Sequence, residues 1–144
     1  MRANISRNTF YLYYNNFNDL ENDFFKELKS KILSLVKVEQ CSNDLKCIIS
    51  MTTTLFVDVI YKNLSDIILY YKDREIKTIR YIRSIYEEAL TKNISNNILE
   101  SSSNSNLSFI VNGIVSSLIR YAIYDANKNY IDFLTQVKLF INNI

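Results

Sequence analysis

A chain of 144 residues with one glycine, Gly113, and no proline has few means of turning a β-strand back on itself. Tight hairpins and sheet corners draw on positive φ angles and on fixed turns, which these two residues supply. Their scarcity predicts an all-α fold whose helices end at polar side-chain caps and short loops. The length is that of one domain and is enough to bury a core without a metal or cross-links. With 48% hydrophobic and 22% charged residues, the chain is ordinary for a globular domain.

Composition also narrows the chemistry. Histidine is absent, which removes the commonest general base and the commonest metal ligand. Cys41 and Cys47 have no second pair, so no zinc site is expected, and they are read as free thiols in a reducing compartment, with Cys47 an apolar core residue. No catalytic residue, metal or cofactor is expected. A net charge of +2 is too small to point to nucleic acid. The opening MRANISRNTFYLYYNN lacks the apolar run of a signal peptide, and no stretch reaches the length of a membrane span. Asn, Ile, Lys, Tyr and Phe are favoured, as in an AT-rich genome.

Residues 1–16 read as an aromatic, Asn-rich lead-in, and 17–144 as a single helical domain. Apolar residues at Leu20, Phe24, Leu28, Ile32 and Leu35 recur by threes and fours, predicting a helix capped by Asn18 or Asp19. A second helix is expected from about Asp44 to Tyr71, through the β-prone TTTLFVDVIY, with a break near Lys62–Asp66. The segment KDREIKTIRYIRSIYEEAL carries Ile76, Ile79, Ile82 and Ile85 on one stripe, and a shorter piece follows through Ile94 and Ile98. Ser101 to Asn106 has the composition of a loop. Residues 107–123 are apolar or small on nearly every side, which predicts a buried central helix wrapped by the others. A last amphipathic helix is expected over Asp125–Ile144.

Two local features have a bland and a functional reading. The stretch from Lys72 to Arg83 holds five basic and two acidic residues. It is a solvated helix face with an Arg83–Glu87 pair, or a basic surface for an acidic partner or an anionic membrane. Gly113 inside a helix costs roughly 1 kcal/mol against alanine. It is tolerated where a neighbouring backbone packs closely, or where a ligand side chain must approach.

The order of elements, and the stretches NISNNILESSSNSNLSFIVNGIVSSLIRY (93–121) and YYKDREIKTIRYIRS (70–84), resemble the Bcl-2 fold of apoptosis regulators, in particular its divergent poxvirus members. The place of the cellular family's Asn-Trp-Gly-Arg signature reads Ser105-Asn106-Leu107-Ser108. The resemblance implies a surface groove that takes an amphipathic helix of a host pro-apoptotic protein. Its walls would be Val57, Tyr61, Ile68, Tyr71, Ile79, Ile82, Ile94, Ile98, Phe109 and Gly113, with Arg80 or Arg83 pairing the ligand's acidic residue. Such an open apolar groove also invites a second copy of the chain. The resemblance further implies work in the host cytoplasm or at the mitochondrial outer membrane. Anchorage there is expected only of a longer protein, because this sequence stops at Phe140-Ile141-Asn142-Asn143-Ile144 without an apolar tail. The same fold could instead bind an innate-immune signalling adaptor, and an unrelated helical adaptor or membrane-surface protein is the third reading.

Overall fold

The computed structural model describes residues 17–97, 105–124 and 130–143. Among them are six α-helices, and no strand. They are α1 (Phe17–Leu35), α2 (Leu45–Lys62), α3 (Leu64–Asp73), α4 (Glu75–Asn97), α5 (Ser105–Ile119) and α6 (Tyr130–Asn142), with a π-turn, Arg120–Tyr124, closing α5. The expected all-α class is therefore the observed one. The lead-in at 1–16, Ile98 and most of the 101–106 loop lie outside the described residues.

Each helix follows from its spacing. In α1 the stripe Leu20, Phe24, Phe25, Leu28 and Ile32 is buried, while Asp19 lies inside the first turn instead of capping it. The β-prone run in α2 is helical because Ile48, Ile49, Phe56, Val57 and Ile60 bury one helical face, and two of its threonines find acceptors within the helix. Thr53 Oγ1 donates to the Ile49 carbonyl at 2.6 Å and Thr54 Oγ1 to that of Ser50 at 2.9 Å. The helix breaks at Asn63, where its amide Nδ2 donates to the Val59 carbonyl at 2.8 Å. There the axis bends by 74° into α3. The pieces expected on either side of Leu90 are one helix, α4, which runs unbroken through Ile94 to Asn97.

The centre of the bundle is α2 together with α4, each flanked by helices on several sides. The helix expected at the centre, α5, buries Ile110, Val111, Ile114, Val115, Leu118 and Ile119 but leaves Ser108, Phe109, Asn112, Gly113, Ser116 and Ser117 exposed. It is thus enclosed on one face only: small residues on the other face offer little apolar area to attract a covering helix.

α1 lies along one flank of α4. Tyr81 stacks on Phe25 with ring centroids 4.6 Å apart, and its hydroxyl donates to Asn22 Oδ1. Lys29 pairs with Glu88 at 2.9 Å, and Lys77 reaches the fully buried Glu21 at 3.1 Å, a contact that has the separation of an ion pair without hydrogen-bond geometry. At the centre, the Tyr86 hydroxyl meets Thr53 Oγ1 at 2.7 Å; since Thr53 donates to Ile49, Tyr86 is the donor.

Between α1 and α2 the chain crosses the bundle without helical bonds. Asn93 of α4 holds it: its Nδ2 donates to the Val36 carbonyl at 3.3 Å and to Thr52 Oγ1 at 2.9 Å, while Oδ1 accepts from Val38 N–H at 3.3 Å. Asn97, one turn on, donates to the Val38 carbonyl at 2.7 Å. The two cysteines follow, and they are not the free thiols expected: Cys41 and Cys47 form a disulfide. The intervening CSNDLKC turns back because Asn43 takes a positive φ of 56°, which asparagine tolerates, and because Asp44 caps α2 by accepting from Cys47 N–H at 3.3 Å.

Four outcomes are expected. Asn93→Leu leaves buried backbone groups at Val36 and Val38 unpaired, at about 1–3 kcal/mol each, and Leu118→Ala opens a cavity worth about 2–5 kcal/mol; urea unfolding reads both losses. Breaking the short disulfide loop with Cys41→Ser costs about 2 kcal/mol by the same measurement. Burial pushes the Tyr86 phenol up from its ordinary value of 10.0, so the unfolded chain releases that proton first. Stability from this group is full below pH 10.0 and falls as the pH rises above it, which alkaline melts will show.

Candidate functional site

The open face of the bundle is the outer side of α5, with α4 on one flank and α6 on the other. Helical geometry puts Ser108, Asn112 and Ser116 toward α4, and Gly113, Ser117 and Tyr121 toward α6. From α4, the half-buried Arg83 extends to Asn112 Oδ1 at 3.4 Å, and Asn112 Nδ2 approaches Ser108 Oγ at the same distance. Both bonds are at the long limit, so the guanidinium keeps donors for another acceptor. Arg83 does not pair with Glu87 on its own helix; the Asn112 amide lies across the α4–α5 seam and takes its place.

On the other flank a cleft of about 280 Å³ opens between α5 and α6, lined by Gly113, Ile114, Ser117, Tyr121, Phe133, Gln136, Val137 and Phe140. The π-turn brings Tyr121 against Phe133, with ring centroids 5.6 Å apart, at the end of this cleft. Three large apolar side chains of these helices are exposed: Phe140 of the cleft at 47%, Phe109 on α5 at 78% and Ile76 on α4 at 74%. Phe109 falls outside the buried stripe of its helix, so its exposure follows from the α5 register.

A β-carbon built at Gly113 meets nothing within 4 Å. Close packing inside the chain, one of the two readings of this glycine, is therefore not its explanation. The helix bears a conformational cost at a place that no described residue fills.

The structure sorts the groove residues expected from the resemblance. Phe109, Gly113 and Arg83 gather on this face, joined by Ile79, half-buried against the core, and by the exposed Arg80. Val57, Tyr71 and Ile82 do not belong to it. They are 0%, 6% and 0% exposed, packed in the core, because they sit on the inward stripes of α2, α3 and α4. Tyr61 and Ile68 are half-buried on α2 and α3. Ile94 packs both on the core and beside the cysteines, three turns along α4 from Arg83. Missed in the sequence were Ser117, Tyr121, Gln136 and Phe140, which enter the site only because α6 docks beside α5.

Among the described residues no three of His, Cys, Asp and Glu gather into a metal-binding group. No single described helix is long and apolar enough to cross a membrane. No family model, curated protein or solved structure matches the chain.

Gly113→Ala is expected to raise stability by up to about 1 kcal/mol, since the methyl meets open space and alanine favours the helix. A thermal melt of this one variant checks it; a lower melting temperature would show that the glycine serves the fold.

Proposed function

We propose that this chain is a non-catalytic interaction module, a viral anti-apoptotic protein of the Bcl-2-like type it resembles. It binds the amphipathic helix of a host pro-apoptotic protein and thereby blocks apoptosis at the mitochondrion. The observation that carries the proposal is the face of α5. A floor of small residues, with an unfilled approach at Gly113, runs beside an apolar cleft and beneath the exposed Phe109. Small side chains let a second helix come close, and the cleft takes an apolar anchor from it.

Charge favours an acidic helix as the occupant, since Arg80, Arg83 and Arg120 stand around the face. The site differs from the trough expected by resemblance in using α4, α5 and α6, with Arg83 as the cation. The energetics are adequate. Four apolar anchors at about 1.5–3 kcal/mol each give about 6–12 kcal/mol, less about 2–5 kcal/mol for ordering the ligand helix. A charge-assisted bond from Arg83 supplements this toward the roughly −8 kcal/mol of micromolar binding.

The basic rim with exposed Ile76 and Phe109 also favours a second reading, attachment to an anionic membrane surface. Titrating fluorescent pro-apoptotic death-motif peptides into the protein distinguishes the two. Saturable binding is expected, lost in Phe109→Glu and in Gly113→Leu while neither variant melts below the parent, because neither side chain supports the core and leucine favours the helix over glycine. Salt-sensitive vesicle binding with no peptide binding would favour the membrane reading. Peptide binding undiminished in both variants would remove this face from the site.

A further inference from the structure

Three sulfur atoms converge where the crossing segment meets α2. Cys41 and Cys47 are bonded to one another, and Met51 Sδ lies 3.4 Å from Cys41 Sγ and 3.9 Å from Cys47 Sγ. In the disulfide neither cysteine carries a proton, so these are sulfur–sulfur contacts and not hydrogen bonds. The convergence is built by the backbone. Cys47 and Met51 are one turn apart on α2 and share a face. Cys41 is brought over them by the turn at Asn43, whose N–H donates to the Asn97 carbonyl at 3.0 Å. The wall around the sulfurs is apolar, made by Val38, Ile48, Leu55 and Ile94, and Cys41 itself is 5% exposed.

We propose that, once the disulfide is reduced, Cys41, Cys47 and Met51 form a three-sulfur site for a soft monovalent metal ion, copper(I). A phosphine reductant with one water converts the disulfide to two thiols and itself to the phosphine oxide. The ion then binds both cysteines as thiolates, releasing their two protons, and takes a lone pair from the Met51 thioether. Two thiolates and a thioether are the donor set that selects copper(I).

The spacing suits that ion. Metal–sulfur bonds of about 2.3 Å in a trigonal array hold the donors about 4 Å apart. Met51 already stands near that distance from both cysteines, at 3.4 and 3.9 Å. Only the two cysteine sulfurs must separate, which rotation of their side chains provides. Zinc asks for four ligands, and among the described residues no third Cys, His, Asp or Glu gathers with the two cysteines. The apolar wall limits access of water, which helps hold a low-coordinate ion. Metal loading re-forms between α2 and the crossing segment the cross-link that reduction opens.

The test uses the full chain, reduced with a phosphine under anaerobic conditions and titrated against the coloured copper(I)–bicinchoninate complex. The reduced protein is expected to withdraw one copper(I) per chain, and the oxidised protein none. Met51→Leu weakens the capture tenfold or more, Cys47→Ser abolishes it, and circular dichroism shows both variants still helical. The proposal is overturned if the reduced parent takes no copper, if Met51→Leu competes as well as the parent, or if zinc(II) is held in preference. It is also overturned if the reduced chain loses its helical spectrum and copper does not restore it.

Discussion

The side-chain amide of Asn93 sits where three parts of the chain meet and makes three hydrogen bonds to two of them. Two donors go to the Val36 carbonyl and Thr52, and the acceptor takes the Val38 N–H. Val36 and Val38 turn inward from a non-helical link whose backbone groups beside them would otherwise be unpaired, which a folded chain rarely tolerates. Asn93 thereby ties the link between α1 and α2 to the surface of α4 and α2. Asn97 extends the hold by one turn to the next carbonyl and to the Asn43 N–H. From there the rest is placed in sequence. The disulfide closes over the α2 cap, α2 lies against α4, and α5 is left on the opposite side of α4 from α1.

Much of this was legible in the residues. Spacing by threes and fours located every described helix, and it marked Ile114, Leu118 and Ile119 as buried positions of α5. The break at Asn63 could be read because a polar run interrupts an apolar stripe. The run of small residues around Gly113 was visible too, but it pointed to burial on every side, whereas Ser108, Asn112, Gly113, Ser116 and Ser117 are exposed. What periodicity cannot supply is the partner of each stripe. Val57, Ile82 and Tyr71 have the same spacing as groove walls would, and whether such a residue lines a trough or a core depends on which helix lies over it. The Arg83–Asn112 contact and the cleft at Ser117 and Phe140 likewise depend on how three helices dock. The Cys41–Cys47 bond hinged on one backbone angle, the positive φ of Asn43, which a pattern of residue types does not encode.

The outer face of α5 and the sulfur cluster occupy separate regions of the fold, joined through α4, which carries Arg83 in its first half and Ile94 near its end. At the first, Gly113 costs helical stability at an exposed position. At the second, a cross-link and apolar packing secure the least regular part of the bundle. Exposed residues of the first are thus free of packing constraints, whereas those of the second are constrained by the bundle itself.

The π-turn at Arg120–Tyr124 gives α5 a phase change at its last turn. An i→i+5 turn accommodates one residue more than an α-turn, so it acts as a single-residue insertion absorbed within the helix. Within the turn it advances the azimuth of the residues after Ile119, and Tyr121 there meets Phe133 of α6. A chain one residue shorter here would turn that ring about 100° around the axis of α5, away from Phe133 and from the end of the cleft.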